Sequence, residues 1–157
     1  MRLITVTIGL LAGIALTACE VPAEEPVAVQ PADEKGGGTK GATPAKKVPV
    51  KISAKRTTAK ASVLGGGGAL SCVKVTVVNQ RKGNLEVNPL YFSLVDTKGE
   101  KHDVTDALAE YEGQVPTTTL APGEKARGTV CGKGRFTPKI VAMTDELLQE
   151  QARAEVS

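Results

Sequence analysis

Ser71-Cys72-Val73-Lys74-Val75-Thr76-Val77-Val78-Asn79 is the stretch that decides the fold class. Successive side chains of an extended chain point to opposite faces, so Val73, Val75 and Val77 share one face and Cys72, Lys74 and Thr76 the other. β-Branched residues in strict alternation argue for a strand with one face on a core. Upstream, Val48, Val50, Ile52 and Ala54 alternate with Pro49, Lys51, Ser53 and Lys55, which predicts a second half-buried strand. Thr57 to Leu64 reads as a further strand, broken by Gly65-Gly66-Gly67-Gly68. Asn79 to Asn84 reads as a turn.

The same alternation continues downstream. Leu90, Phe92 and Leu94 alternate with Tyr91, Ser93 and Val95. Asp96-Thr97-Lys98-Gly99 has Asp at the first and Gly at the last position of a tight turn, so Lys101 to Val104 is expected to return as a hairpin arm. Thr105 to Glu112 is the one helix-like piece, a short helix or an irregular loop, with Thr105 as cap and Gly113 as stop. Ala121-Pro122-Gly123-Glu124 is a turn into a strand at Lys125 to Cys131, and Pro138 to Thr144 is another strand. Gln151 to Val156 reads as a last strand, although propensity also allows a helix over Glu146 to Ala154. Short strands, frequent turns and one small helical insert predict an all-β antiparallel sandwich. Aromatic residues make up 3% of the chain and Trp is absent, so the core must be built from Val, Leu, Ile and Ala.

The N-terminal region has a different character. Arg2 supplies a positive start, Leu3 to Leu16 is a nearly continuous apolar run, and Leu16-Thr17-Ala18-Cys19 ends it with small residues. This is the pattern of a secretory signal over 1–18, with an apolar run too short for a comfortable span of about twenty residues. Leu16-Thr17-Ala18-Cys19 resembles the bacterial lipobox. That resemblance implies cleavage before Cys19 and lipid attachment to its sulfur, hence a membrane partner. Residues 19–47 are rich in Pro, Ala, Gly and charge and show no period, so they are expected to form a disordered tether with a span of roughly 30 Å. Gly36-Gly37-Gly38-Thr39-Lys40-Gly41 lacks the Gly-Lys-Ser/Thr ending of a phosphate loop. What remains, 48–157, is about 110 residues, suited to one domain.

Three segments carry a resemblance to a known family: Val73 to Asn79, Asn88 to Asp96 and Leu120 to Val130. Together they are similar to the bacterial domain-of-unknown-function 4352 family. The resemblance covers about Val48 to Val156. It implies an immunoglobulin-like sandwich and a lipoprotein of a Gram-positive-type envelope, on the outer face of the cytoplasmic membrane. It implies no defined activity.

With Cys19 acylated, Cys72 and Cys131 are left as a pair in an oxidising compartment. Cys72 shares a face with Lys74 and Thr76, and Cys131 with Arg127 and Thr129. Both lie on the polar faces of their strands, so the expected disulfide joins neighbouring strands on the outer face of one sheet rather than crossing the core. It would close a loop of roughly sixty residues, worth about 4 kcal/mol in the chain-entropy account.

No constellation specifies catalysis. The one histidine, His102, follows a predicted turn, and neighbouring Asp103 points to the opposite face of a strand, leaving Asp106 as the other carboxylate considered. Cofactor and metal sites are not expected. Two Cys and one His lie far apart, and Asp96, Asp103, Asp106, Glu110 and Glu112 match no calcium-loop spacing. Tyr91, Tyr111 and Phe136 are candidates for a partner contact, since aromatics anchor interfaces. Lys and Arg total 20 against 17 Asp and Glu, with signs interspersed along the chain, and the densest basic stretch, Lys46 to Lys60, carries no aromatic; nucleic acid is not an expected partner. The expected function is a non-enzymatic, membrane-anchored module that binds an extracytoplasmic protein or envelope polymer. The alternative is a small-molecule or metal-ion carrier at the cell surface.

Overall fold

The computed structural model describes residues 27–31, 48–63 and 65–157. Ten strands follow one another: β1 (Val29–Gln30), β2 (Val50–Thr57), β3 (Leu70–Asn79), β4 (Leu85–Val87), β5 (Phe92–Asp96), β6 (Lys101–Asp103), β7 (Thr118–Leu120), β8 (Lys125–Lys133), β9 (Pro138–Thr144) and β10 (Glu150–Glu155). They make a three-stranded sheet, β2-β3-β8, and a five-stranded sheet, β1-β10-β9-β5-β6, with β4 and β7 as a separate pair. All pairings are antiparallel except β1 with β10.

The alternation of β3 is realised as read. Val73, Val75 and Val77 are fully buried, opposite Val130, Gly128 and Ala126 of β8 and next to Arg56, Ala54 and Ile52 of β2. The other sheet contributes Phe92, Leu94, Val141, Met143, Ala152 and Ala154 to the same core. The aliphatic core follows from the composition: apolar burial stabilises by about 25 cal/mol per Å² whichever side chain supplies the area.

The turns read from the sequence form as expected. Asp96 Oδ1 accepts from the backbone N–H of Lys98 (2.8 Å) and Glu100 (2.9 Å), and Gly99 takes φ 85°. In the Pro-Gly turn the Glu124 N–H donates to Ala121 O (3.0 Å) and Gly123 takes φ 85°. Asn79 is completely buried at the end of β3. Its Nδ2 donates to Gly83 O (2.8 Å) and Leu120 O (2.9 Å), and its Oδ1 accepts from Arg81 N (2.9 Å), so one side chain ties the β3–β4 loop to the end of β7.

Several expectations are corrected. Val29–Gln30, inside the stretch expected to be disordered, adds parallel to Arg153–Ala154. The Gln30 side chain amide donates to Val50 O and accepts from Ile52 N, both at 3.2 Å, so the segment closes the seam between the two sheets. The signal, Cys19 and most of the tether lie outside the described residues. The described residues 58–63 do not form the expected strand: β2 runs on to Thr57, and beyond it, among these residues, only Ala61 bridges, to Tyr111. The helical insert is a single 3-10 turn, Thr105–Ala107, capped by Val104 without a side-chain bond. A helix cannot continue because the backbone of 110–112 is taken from across the loop: Ser62 N donates to Glu110 O, and Glu112 N to Lys60 O, each at 2.9 Å. Leu90 lies in a 3-10 turn, Pro89–Tyr91, capped by Asn88, and is 54% exposed instead of facing the core. The C-terminal segment forms strand β10, as read, and not the helix that propensity also allowed.

Candidate functional site

The outer face of β2-β3-β8 divides into two halves. Toward the start of β3 it is covered. Cys72 and Cys131 are directly opposite in the ladder and form a disulfide. As expected from their phase, they lie on the side of the sheet away from the valines. That side is not open, however: Cys72, Cys131, Ala107 and Tyr111 make a small second core, with Ala59 and Leu70 packed against it. The Tyr111 hydroxyl accepts from Cys131 N (3.2 Å) and donates to Thr129 O (3.3 Å). Burial raises the phenol pKa of Tyr111, opposed by the Cys131 N–H.

Toward the end of β3 the same face is not covered by the Tyr111 loop. Lys51, Ser53 and Lys55 of β2, Lys74 and Thr76 of β3, and Lys125, Arg127 and Thr129 of β8 point outward there. These strand positions carry five cations and no carboxylate. Lys55 and Lys74 are direct cross-strand partners, an arrangement that destabilises a sheet by a few tenths of a kcal/mol. Among the described residues no ion pair is made by Lys55, Lys74, Lys125 or Arg127. Ser53, Lys55, Lys74, Thr76, Arg127 and Ser157 line a shallow, open depression of about 250 Å³. The site is therefore a flat cationic field edged by hydroxyl groups, suited to an extended anion. Sequence reasoning missed it because the basic residues lie on three strands separated by loops. The register of the strands, not the local charge density, gathers them.

The residues singled out from the sequence are not brought together. Tyr91 lies where β4 and β9 end, with its hydroxyl donating to Glu86 (3.0 Å). Partial burial and then the carboxylates of Glu86, Glu146 and Asp145 raise its phenol pKa. Tyr111 is 3% exposed and cannot be a surface contact. Phe136, at the opposite end from Tyr91, packs against the core and stacks on His102, with ring centres 3.7 Å apart. The acids also separate: Glu112 pairs with Lys60 (3.0 Å), Glu110 with Lys133 (3.0 Å) and Asp103 with Lys101 (4.0 Å).

His102 is oriented by neither Asp103 nor Asp106. Its Nε2 lies 3.3 Å from Asp96 Oδ2. The sequence signal was available, since Asp96 continues the buried phase of Phe92 and Leu94 and His102 pairs with Leu94 across the hairpin. Asp96, Glu100 and His102 have ligand atoms within 4.8 Å of one another. Both Asp96 oxygens are already engaged, one with two backbone N–H groups and one with His102, which is the chemistry of a pinned turn. Burial opposes ionisation of Asp96, but the N–H groups of Glu100 and Lys98 and then His102 outweigh it and hold its carboxyl below the ordinary 3.8. A carboxylate with a depressed folded-state pKa contributes stability above its unfolded value and loses it as pH falls through the folded one. Asp96→Asn is thus expected to lower the melting temperature at pH 7, with the gap to the parent closing below pH 3.8. Thermal unfolding from pH 7 to about pH 2 checks this, and a gap independent of pH would refute it.

Two facing, mainly antiparallel sheets of short strands, one of them carrying a disulfide between neighbouring strands, define an immunoglobulin-like β-sandwich. Residues 46–131 match the domain of unknown function DUF4352, and the chain belongs to that family. Among solved structures, the chain is similar to MPT63, a secreted protein of Mycobacterium tuberculosis, at 22% identity and a TM-score of 0.51, over 68% of this chain and 80% of that one. It is similar also to ycdA of Bacillus subtilis, described as a candidate lipoprotein, at 15% identity and a TM-score of 0.51. That second match spans 70% of this chain but only 37% of the Bacillus one. At these identities the likeness is one of fold. No curated protein matches the sequence.

Proposed function

We propose that the chain is a lipid-anchored, non-catalytic binding module on the outer side of the membrane, and that the cationic half of β2-β3-β8 takes an extended anionic polymer of the cell envelope. The carrying observation is the field of Lys51, Lys55, Lys74, Lys125 and Arg127 with no carboxylate among them. A face serving solubility alone would mix both signs. Here two lysines stand directly opposite each other across the ladder, and an anion lying over the field would relieve that repulsion. The open, shallow shape favours an extended ligand over an enclosed small molecule. The face carries no aromatic on which bases could stack, which argues against single-stranded nucleic acid. An outer location is supported by the signal-like residues 1–18, by Cys19 in its lipobox-like context, and by a disulfide, which persists in oxidising compartments.

Inorganic polyphosphate is a suitable probe. The full chain is expected to bind it with an affinity that falls steeply with salt, because counterions are released as phosphates are neutralised. The triple variant Lys55→Glu, Lys74→Glu, Arg127→Glu should bind at least about tenfold more weakly while melting at an unchanged temperature. Equal binding by parent and variant would remove the face from the proposal.

A further inference from the structure

The turn between β9 and β10 presents two leucines to solvent. Leu147 is 72% and Leu148 81% exposed. Leu148 also takes φ 63°, the left-handed region that suits Gly or Asn and disfavours a bulky side chain. For folding alone, a polar or glycine turn would be better on both counts. The turn is nonetheless firmly built. Asp145 Oδ1 accepts from Leu147 N (2.9 Å) and Gln149 N (3.0 Å), its Oδ2 accepts from the Gln151 side chain (2.6 Å), and Leu148 N donates to Asp145 O (3.0 Å). Strain of this kind, held in place by its surroundings, points toward a use for the side chains displayed.

The position of the turn suggests what covers it. β1 runs parallel to β10, so the chain enters the domain from the end at which β10 starts, the end that carries this turn. Cys19 and Val29 are ten residues apart. Ten residues span at most about 35 Å fully extended and roughly 18 Å on average as a flexible chain. The seam strand β1 thus replaces a long tether by a short one and holds this end close to the anchor. Tyr91 and Leu147 line a common depression there with Arg81, Glu86 and Glu146, and Leu90 on the same turn as Tyr91 is also exposed. The charged groups facing the tip are of both signs: Arg81, against Glu86, Asp145 and Glu146. Glu86 is bound by the Tyr91 hydroxyl and Asp145 is consumed by the turn. This end therefore offers two exposed leucines beside charged groups of both signs.

We infer that the Leu147–Leu148 turn is a membrane-contact tip, seated in the interface of the bilayer that holds the Cys19 anchor. The inference rests on the anchored reading above. It adds an orientation: with this end on the bilayer, β2-β3-β8 stands upright and its cationic face looks sideways into the envelope.

The chain contains no Trp, so a single introduced one reports its own surroundings. The full-length lipidated protein carrying Leu147→Trp is reconstituted on phosphatidylcholine vesicles containing brominated lipid, and flotation and emission are measured together. A second protein carries Lys98→Trp, in the β5–β6 hairpin at the opposite end. Flotation of both, with a blue shift and quenching for Leu147→Trp alone, is the expected result. Flotation with a water-exposed emission for Leu147→Trp overturns the tip and leaves the anchor standing, as does quenching at Lys98→Trp instead. Failure to float overturns the anchored reading and the tip with it.

Discussion

Loss of the Cys72–Cys131 disulfide is expected to lower the stability of the domain by about 4 kcal/mol. The bond joins residues 59 apart in sequence and so restricts a large loop of the unfolded chain. Small domains have a net stability of only 5–15 kcal/mol, and this one has a core with few aromatic rings, so the loss is a large fraction of the whole. The structural surroundings add to it. Cys131 is fully buried and Cys72 nearly so, under Tyr111 and Ala107, and that small second core pins the 105–113 loop over the sheet. The Cys72→Ala, Cys131→Ala double variant is the better test than serine, because a buried hydroxyl there would need a new partner. Urea unfolding should show the midpoint falling accordingly, with the parent moving to the same place in reductant. A shift of less than about 1 kcal/mol would mean that the unfolded chain is not freed by losing the bond.

Gly128→Ala is expected to destabilise by about 3 kcal/mol and to lower the melting temperature by roughly 10–20 °C. β8 pairs with β3 on one side and takes residues 113–115 on the other: Thr129 N donates to Gly113 O (2.7 Å) and Val115 N to Thr129 O (3.2 Å). A Cβ on residue 128 would lie 2.4 Å from both Val115 Cα and Val115 N and 2.7 Å from Gln114 C. These are backbone atoms, so no side-chain rotation relieves the contact. The passage of Val115 across β8 into the core would have to move, and Val115 is 2% exposed. Gly83→Ala is the matched control, since nothing lies within 4 Å of the Cβ it would gain. It should be neutral within about 0.5 kcal/mol. Similar melting temperatures for the two variants would refute the close approach.

Local signals carried much of the fold. The Val73-Val75-Val77 alternation, the Asp96 to Gly99 turn, the Pro122-Gly123 turn and the strand from Pro138 to Thr144 all needed only near neighbours to be recognised. So did the outward phase of Cys72 and Cys131, because strand alternation is a property of the chain itself. What failed had no local signature. Val29–Gln30 is two residues in a Pro- and Ala-rich stretch, and it becomes a strand because the edge of β10 and the Gln30 amide bonds to β2 await it. Tyr111 looks like a surface aromatic until the loop that carries it folds over the disulfide. His102 finds Asp96 across a hairpin rather than Asp103 next to it.

The sequence by itself determined the all-β class, the turns, the core face of each main strand and the outward phase of Cys72 and Cys131, since these follow from alternation, turn chemistry and composition. Only the tertiary structure decided which outward residues become neighbours. Lys51 and Lys55, Lys74, and Lys125 and Arg127 come from three strands and form one cationic field because β2, β3 and β8 pair in the register they do. The exposed leucine turn likewise acquires its meaning from β1, which brings the N-terminal chain to the same end of the sandwich. Charge and exposure are read over distances of a few ångströms in space, and the chain brings distant residues that close only when the sheets have assembled.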